Sequence, residues 1–95
     1  MTHKTVVRIS LNTLYRDLSG EGVLLQLDSG EYFGLDEVSN RIWQLIAEVG
    51  DIDVVRERML AEYEVDSTVL SRDVARLLGE MVERKLVELD TIHDS

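Results

Sequence analysis

The 95-residue chain has no cysteine and no proline, and few of its residues are aromatic or basic. Without cysteine there are no disulfides, no thiolate zinc sites and no cysteine nucleophile. Lys and Arg number 10 against 19 Asp and Glu, a formal net charge of −9. A nucleic-acid binder displaces condensed counterions with Lys and Arg, and this chain brings a repulsive field to that task. Apolar runs extend only a few residues, so no segment is long enough to span a bilayer. The opening "MTHKTVVRIS" lacks the apolar core of a signal peptide. These absences point to a cytoplasmic protein that engages neither nucleic acid nor membrane. Internal repeats and low-complexity stretches are also missing.

What is present suits one globular domain. Hydrophobic residues make up 44% and charged residues 31% of the chain, a globular balance. A chain of this length buries about 60–70% of its unfolded surface, enough for one modest core. The domain is expected to fill residues 1–95, with a core over about 14–89 and flexible ends.

Near the start, "VVRI" (6–9) either pairs as a strand or trails loosely. "LYRDL" (14–18) alternates as a strand, with its inward face undecided. "SGEG" supplies a turn. "VLLQL" (23–27) is the strongest strand, with Val23, Leu25 and Leu27 on its apolar face. Asp28-Ser29-Gly30 fits a short hairpin loop with glycine in the left-handed position. "EYFGL" (31–35) is the return strand, which completes a three-stranded antiparallel meander.

The period then changes. Asp36 caps a helix with Val38, Ile42, Leu45, Ile46 and Val49 at helical spacing until Gly50 stops it. Asp51 or Asp53 caps a shorter helix carrying Val55, Met59, Leu60 and Tyr63. Asp66 or Ser67 begins a third, with Leu70, Val74, Leu77, Leu78, Met81 and Val82 apolar. "LVEL" (86–89) adds a short extended tail. The predicted fold is α+β: a three-stranded antiparallel sheet packed on three helices, in a winged-helix-like order.

No reactive constellation emerges. His3 and His93 sit near opposite termini without helix-spaced companions, so no metal site is expected. "SGEG" lies between strands and does not open a helix, so it is a turn and not a phosphate loop. The many carboxylates have no spacing that singles out an acid and a base. The expectation is a protein without catalysis or cofactor.

"GVLLQLDSGEYFGLDEVSNRIWQLI" (22–46) resembles the pyrroloquinoline quinone biosynthesis protein D (PqqD) family. The shared features are the Leu-x-Leu-Asp strand end, the glycine hairpin, the aromatic pair, Gly-Leu-Asp-Glu and Ile-Trp on the first helix. "LAEYEVD" (60–66) and "VARLLGEMVERKLVE" (74–88) resemble the family's second-helix end and third helix. Ser39 and Lys85 stand where the family often has glycine. The resemblance implies a RiPP recognition element, a winged-helix-like domain that binds the leader segment of a ribosomally made precursor peptide. Such a domain presents the precursor to a modifying enzyme, for example a radical S-adenosylmethionine enzyme, or to a leader peptidase and cyclase as in lasso-peptide pathways. The resemblance further implies that the leader adds as a strand to the third strand and rests against the third helix.

The residues make that mode reasonable. In a meander the strand Glu31, Tyr32, Phe33, Gly34, Leu35 lies at an edge, a template for another strand. Tyr32 and Phe33 project to opposite faces, and either ring can line the groove. Trp43 is assigned to core packing. On the third helix, Arg72, Asp73, Arg76, Leu77 and Glu80 are the groove candidates, with Leu77 at the boundary and the arginines placed to receive acidic side chains. From Ser67 to Leu86 four basic residues meet three acidic ones, so the rest of the chain carries −10. That balance weighs against the rival reading, a winged-helix DNA-binding regulator. An exposed edge also permits self-pairing, so both monomer and homodimer stay open.

Overall fold

The computed structural model describes residues 2–94. The elements run β1 (Thr2–Ile9), β2 (Thr13–Leu18), β3 (Glu21–Gln26), β4 (Glu31–Leu35), α1 (Glu37–Val49), α2 (Ile52–Glu62), α3 (Ser67–Glu83) and β5 (Val87–Asp94). The expected three-stranded antiparallel sheet forms in the order β2-β3-β4 and is followed by the three helices. A second sheet pairs β1 with β5 antiparallel, Ile9 opposite Val87 and Val7 opposite Leu89. The opening run at 6–9 therefore pairs with the extended tail that follows the third helix.

Local chemistry accounts for the boundaries. Asp36, Asp51 and Asp66 each cap a helix by accepting backbone N–H bonds, from Ser39 at 2.8 Å, Asp53 at 3.0 Å and Thr68 at 2.8 Å. Gly50, at φ 72°, ends α1 with its N–H on the Ile46 carbonyl. Ser19 and Gly20 both have positive φ, as a two-residue type I′ hairpin between β2 and β3 requires.

The core is continuous across both layers. Ile42, Trp43, Leu45 and Ile46 of α1, Val55 and Met59 of α2, and Leu70, Val74, Leu78 and Met81 of α3 are buried with Leu24 and Leu35. Trp43 is a core residue as expected, with its ring 6.0 Å from that of Tyr15. Val38, Leu60 and Val82, read as apolar helix positions, stay about 40% exposed. Arg41 of α1 clamps Glu62 at the end of α2 through bonds of 2.7 and 2.9 Å. The hydrogen bond from Arg41 lowers the Glu62 carboxyl below its ordinary range. That contribution is present above the ordinary carboxylate range and fades as pH falls through the lowered value.

One face assignment is reversed. Val23, Leu25 and Leu27 were expected to face the core, but the buried side of β3 carries Gly22, Leu24 and Gln26, while Leu27 is exposed. The polar Gln26 is accommodated because its amide donates to the Lys85 carbonyl at 3.1 Å and its oxygen accepts from the Asp28 N–H. Leu14, Leu25 and Tyr32, paired across the strands, form a row on the side away from the helices.

Candidate functional site

Because β3 lies between β2 and β4, the outer edge of β4 has no strand partner among the described residues. Its N–H and C=O groups on that side form the open template expected for Glu31 to Leu35. Within β4 the alternation is clear. Leu35 is buried, Phe33 is part-buried against the core, and Glu31, Tyr32 and Gly34 are exposed. Phe33 and Glu31 share the side of the sheet that faces the helices. Tyr32 is 70% exposed on the opposite side. The ring beside the helical wall is thus Phe33.

The end of α3 supplies that wall. The Arg84 guanidinium stacks over the Phe33 ring, 5.3 Å from its centroid, and lies 3.6 Å from the Glu31 carboxylate. Glu31, Glu80, Glu83 and Arg84 line a cleft of about 370 Å³ between strand and helix. A neighbouring cleft of about 390 Å³ continues along Gln26, Asp28, Ser29, Glu31, Glu83, Arg84 and Lys85.

The helical candidates divide. Glu80 is half-buried and lines the cleft. Arg76 is exposed and already paired with Glu80 at 3.3 Å. Asp73 and Arg72 are exposed. At about 100° per residue, Arg72 points nearly opposite the buried stripe of Leu70, Val74, Leu78 and Met81, whereas Asp73 lies in line with Glu80. Leu77, placed at the groove boundary by sequence, is 3% exposed and belongs to the core. Glu83 and Arg84 join the cleft beyond the sequence candidates, and the one sequence signal for Arg84 is the four-residue spacing it continues from Arg76 and Glu80. The cleft beside Glu31 therefore presents three carboxylates and one guanidinium, and each of its two nearest arginines, Arg76 and Arg84, already has an acidic partner. No group of three or more metal-ligating side chains occurs among the described residues, and no helix among them is long and apolar enough to cross a membrane.

Residues 21–87 match the family described as coenzyme PQQ synthesis protein D (PqqD). Among solved structures, "TbiB1 in Complex with the TbiA(beta) Leader Peptide" is 36% identical, covering 85% of this chain and 94% of that one, with a TM-score of 0.81. "Lasso peptide synthetase B1 complexed with the leader peptide" is 27% identical, covering 86% and 96%, with a TM-score of 0.77. No curated protein sequence matches the chain.

Proposed function

The chain belongs to the PqqD family of RiPP recognition elements, and on that premise we propose that it binds the leader segment of a ribosomally synthesised precursor peptide and presents it to a modifying enzyme. The leader adds as a fourth strand beside β4. Its inward side chains lie against Phe33 and the Glu80–Arg84 end of α3. The partner is a modifying enzyme such as a radical S-adenosylmethionine enzyme or a leader peptidase and cyclase, and this chain acts as a non-catalytic adaptor. The observation that carries the reading is the unpaired β4 edge with a helix alongside, in a chain similar to two proteins solved with leader peptides.

Titration of ¹⁵N-labelled protein with candidate leader peptides tests it. Amide shifts are expected to concentrate on Glu31 to Leu35 and on the last two turns of α3. Shifts centred on the buried Trp43 region of α1 would place the peptide elsewhere.

The rival regulator reading predicts tight DNA binding, and the charge opposes it. Fluorescence anisotropy with duplex DNA is expected to give dissociation constants weaker than about 10 µM at physiological salt, in the range of non-specific electrostatic binding. A tight complex with one defined duplex would replace the peptide reading.

A further inference from the structure

The groove beside β4 does not end at Glu31. Its second cleft shares Gln26, Asp28 and Lys85 with a larger open cavity of about 1070 Å³. This cavity lies between the β1–β5 ribbon and the hairpin end of the three-stranded sheet. Ile9, Leu11, Val82, Val87 and Leu89 give it an apolar lining. Leu11 is 99% exposed, and Val82 and Leu89 are each more than a third exposed. A concavity that gathers apolar side chains beside Arg8, Asn12 and Asp28 has the makeup of a site that receives an apolar side chain.

Lys85 stands at the junction of the two spaces. It follows the last turn of α3 in a Schellman motif, in which the Leu86 N–H bonds the Met81 carbonyl at 2.8 Å and the Lys85 N–H bonds the Val82 carbonyl at 3.0 Å. Its φ is 60°, a conformation that glycine adopts freely and lysine does not. Its ammonium has no ion pair among the described residues, whereas Arg8 on the same cavity wall is held by Glu88 and Asp90. A residue kept in a strained conformation with an unused charge, at the join of two clefts, points to a role outside stability.

We propose that the large cavity is a second subsite for the same peptide. This rests on the strand-addition reading above. β4 runs from Glu31 to Leu35, so an added strand that keeps the sheet antiparallel sends its C-terminal side past Glu31. The residues that follow turn around the end of α3. They insert an apolar side chain among Leu11, Val82 and Leu89, and a neighbouring peptide carboxylate pairs with Lys85. The occupant is therefore the continuation of the bound peptide, an apolar residue beside an acidic one.

The test selects binders from a displayed library of random 20-residue peptides on the immobilised protein, then measures the best binder against wild type, Lys85→Gly and Val82→Gln. The expected result is amide shifts at Ile9, Leu11 and Leu89 in addition to those on β4. Lys85→Gly is expected to melt higher than wild type, because glycine relieves the positive φ, yet to bind about five- to tenfold more weakly. Val82→Gln, at an exposed position, is expected to weaken binding similarly with little change in melting. Shifts confined to β4 and α3, with unchanged affinity in both variants, would overturn the second subsite and leave strand addition standing. Recovery of no binder, or of binders that leave β4 unmoved, would overturn strand addition and this proposal with it.

Discussion

Gly22→Ala is expected to lower the melting temperature by about 10–25 °C, although it adds one methyl group. A Cβ at Gly22 would sit 2.3 Å from the Asn40 side-chain oxygen and 3.0 Å from the Tyr15 ring. Asn40 is 2% exposed and cannot swing away without loss. Its oxygen accepts from the Tyr15 hydroxyl at 2.6 Å, and its amide donates to the Gly20 carbonyl at 3.1 Å and to Asp17 at 3.4 Å. These bonds tie the β2–β3 turn to α1. Overpacking costs about 1–3 kcal/mol, and each displaced hydrogen bond about 1 kcal/mol more. The total expected loss is about 2–4 kcal/mol.

Two controls separate this mechanism from a general dislike of alanine in strands. Gly34 also lies in the sheet, but a Cβ there meets nothing within 4 Å. Gly34→Ala is therefore expected to stay within about 0.5 kcal/mol of wild type. Asn40→Ala removes the obstacle together with its bonds. The double variant Gly22→Ala/Asn40→Ala is then expected to be scarcely less stable than Asn40→Ala alone, a coupling that a double-mutant cycle reads directly. Additive losses, or a Gly22→Ala melting curve within two or three degrees of wild type, would refute the steric account.

Features of local origin were legible in the sequence. The β4 boundaries, the Asp36 cap and the Gly50 stop follow from nearest-neighbour chemistry. The inward stripe of Leu70, Val74, Leu78 and Met81 follows from helical period. The errors sit where a residue's environment is supplied by a distant segment. Gln26 reads as outward because it is polar, yet its partner is the carbonyl of Lys85, beyond all three helices. Without that bond the alternation of Val23, Leu25 and Leu27 would be the better guide. The β1–β5 ribbon joins the two ends of the chain, and neither end carries a local sign of the other. At the site, the open edge was legible from strand order. Which aromatic ring faces the helix was not, because that depends on which face of β3 is buried. The importance of Arg84 was hidden for the same reason. Its partners, Phe33 and Glu31, lie on a strand some fifty residues earlier.

That geometry makes the two adjacent aromatic residues of β4 unequal, and the inequality can be measured. A strand added beside β4 places one of its inward side chains next to Phe33, on the side enclosed by α3. Phe33 is part-buried and fixed from above by Arg84, the setting of an interface anchor. Phe33→Ala is expected to cost about 2 kcal/mol or more in leader affinity, roughly thirtyfold. Tyr32→Ala, on the far side of the sheet, is expected to change affinity by about twofold or less, under about 0.5 kcal/mol. The arginines of α3 fall between. Arg76 is already neutralised by Glu80 and Arg72 points away from the core, so Arg72→Glu/Arg76→Glu is expected to cost within about 1 kcal/mol, or about fivefold, and less at high salt. Phe33→Ala also removes core contact and is expected to destabilise the fold by about 1–2 kcal/mol, so calorimetric titrations belong well below each variant's melting transition. Phe33→Leu, which keeps most of the buried volume, is expected to recover part of the affinity. An equal loss from Tyr32→Ala and Phe33→Ala would mean that the peptide reaches both faces of the sheet. A loss from Tyr32→Ala alone would move the site to the row of Leu14, Leu25 and Tyr32, away from α3.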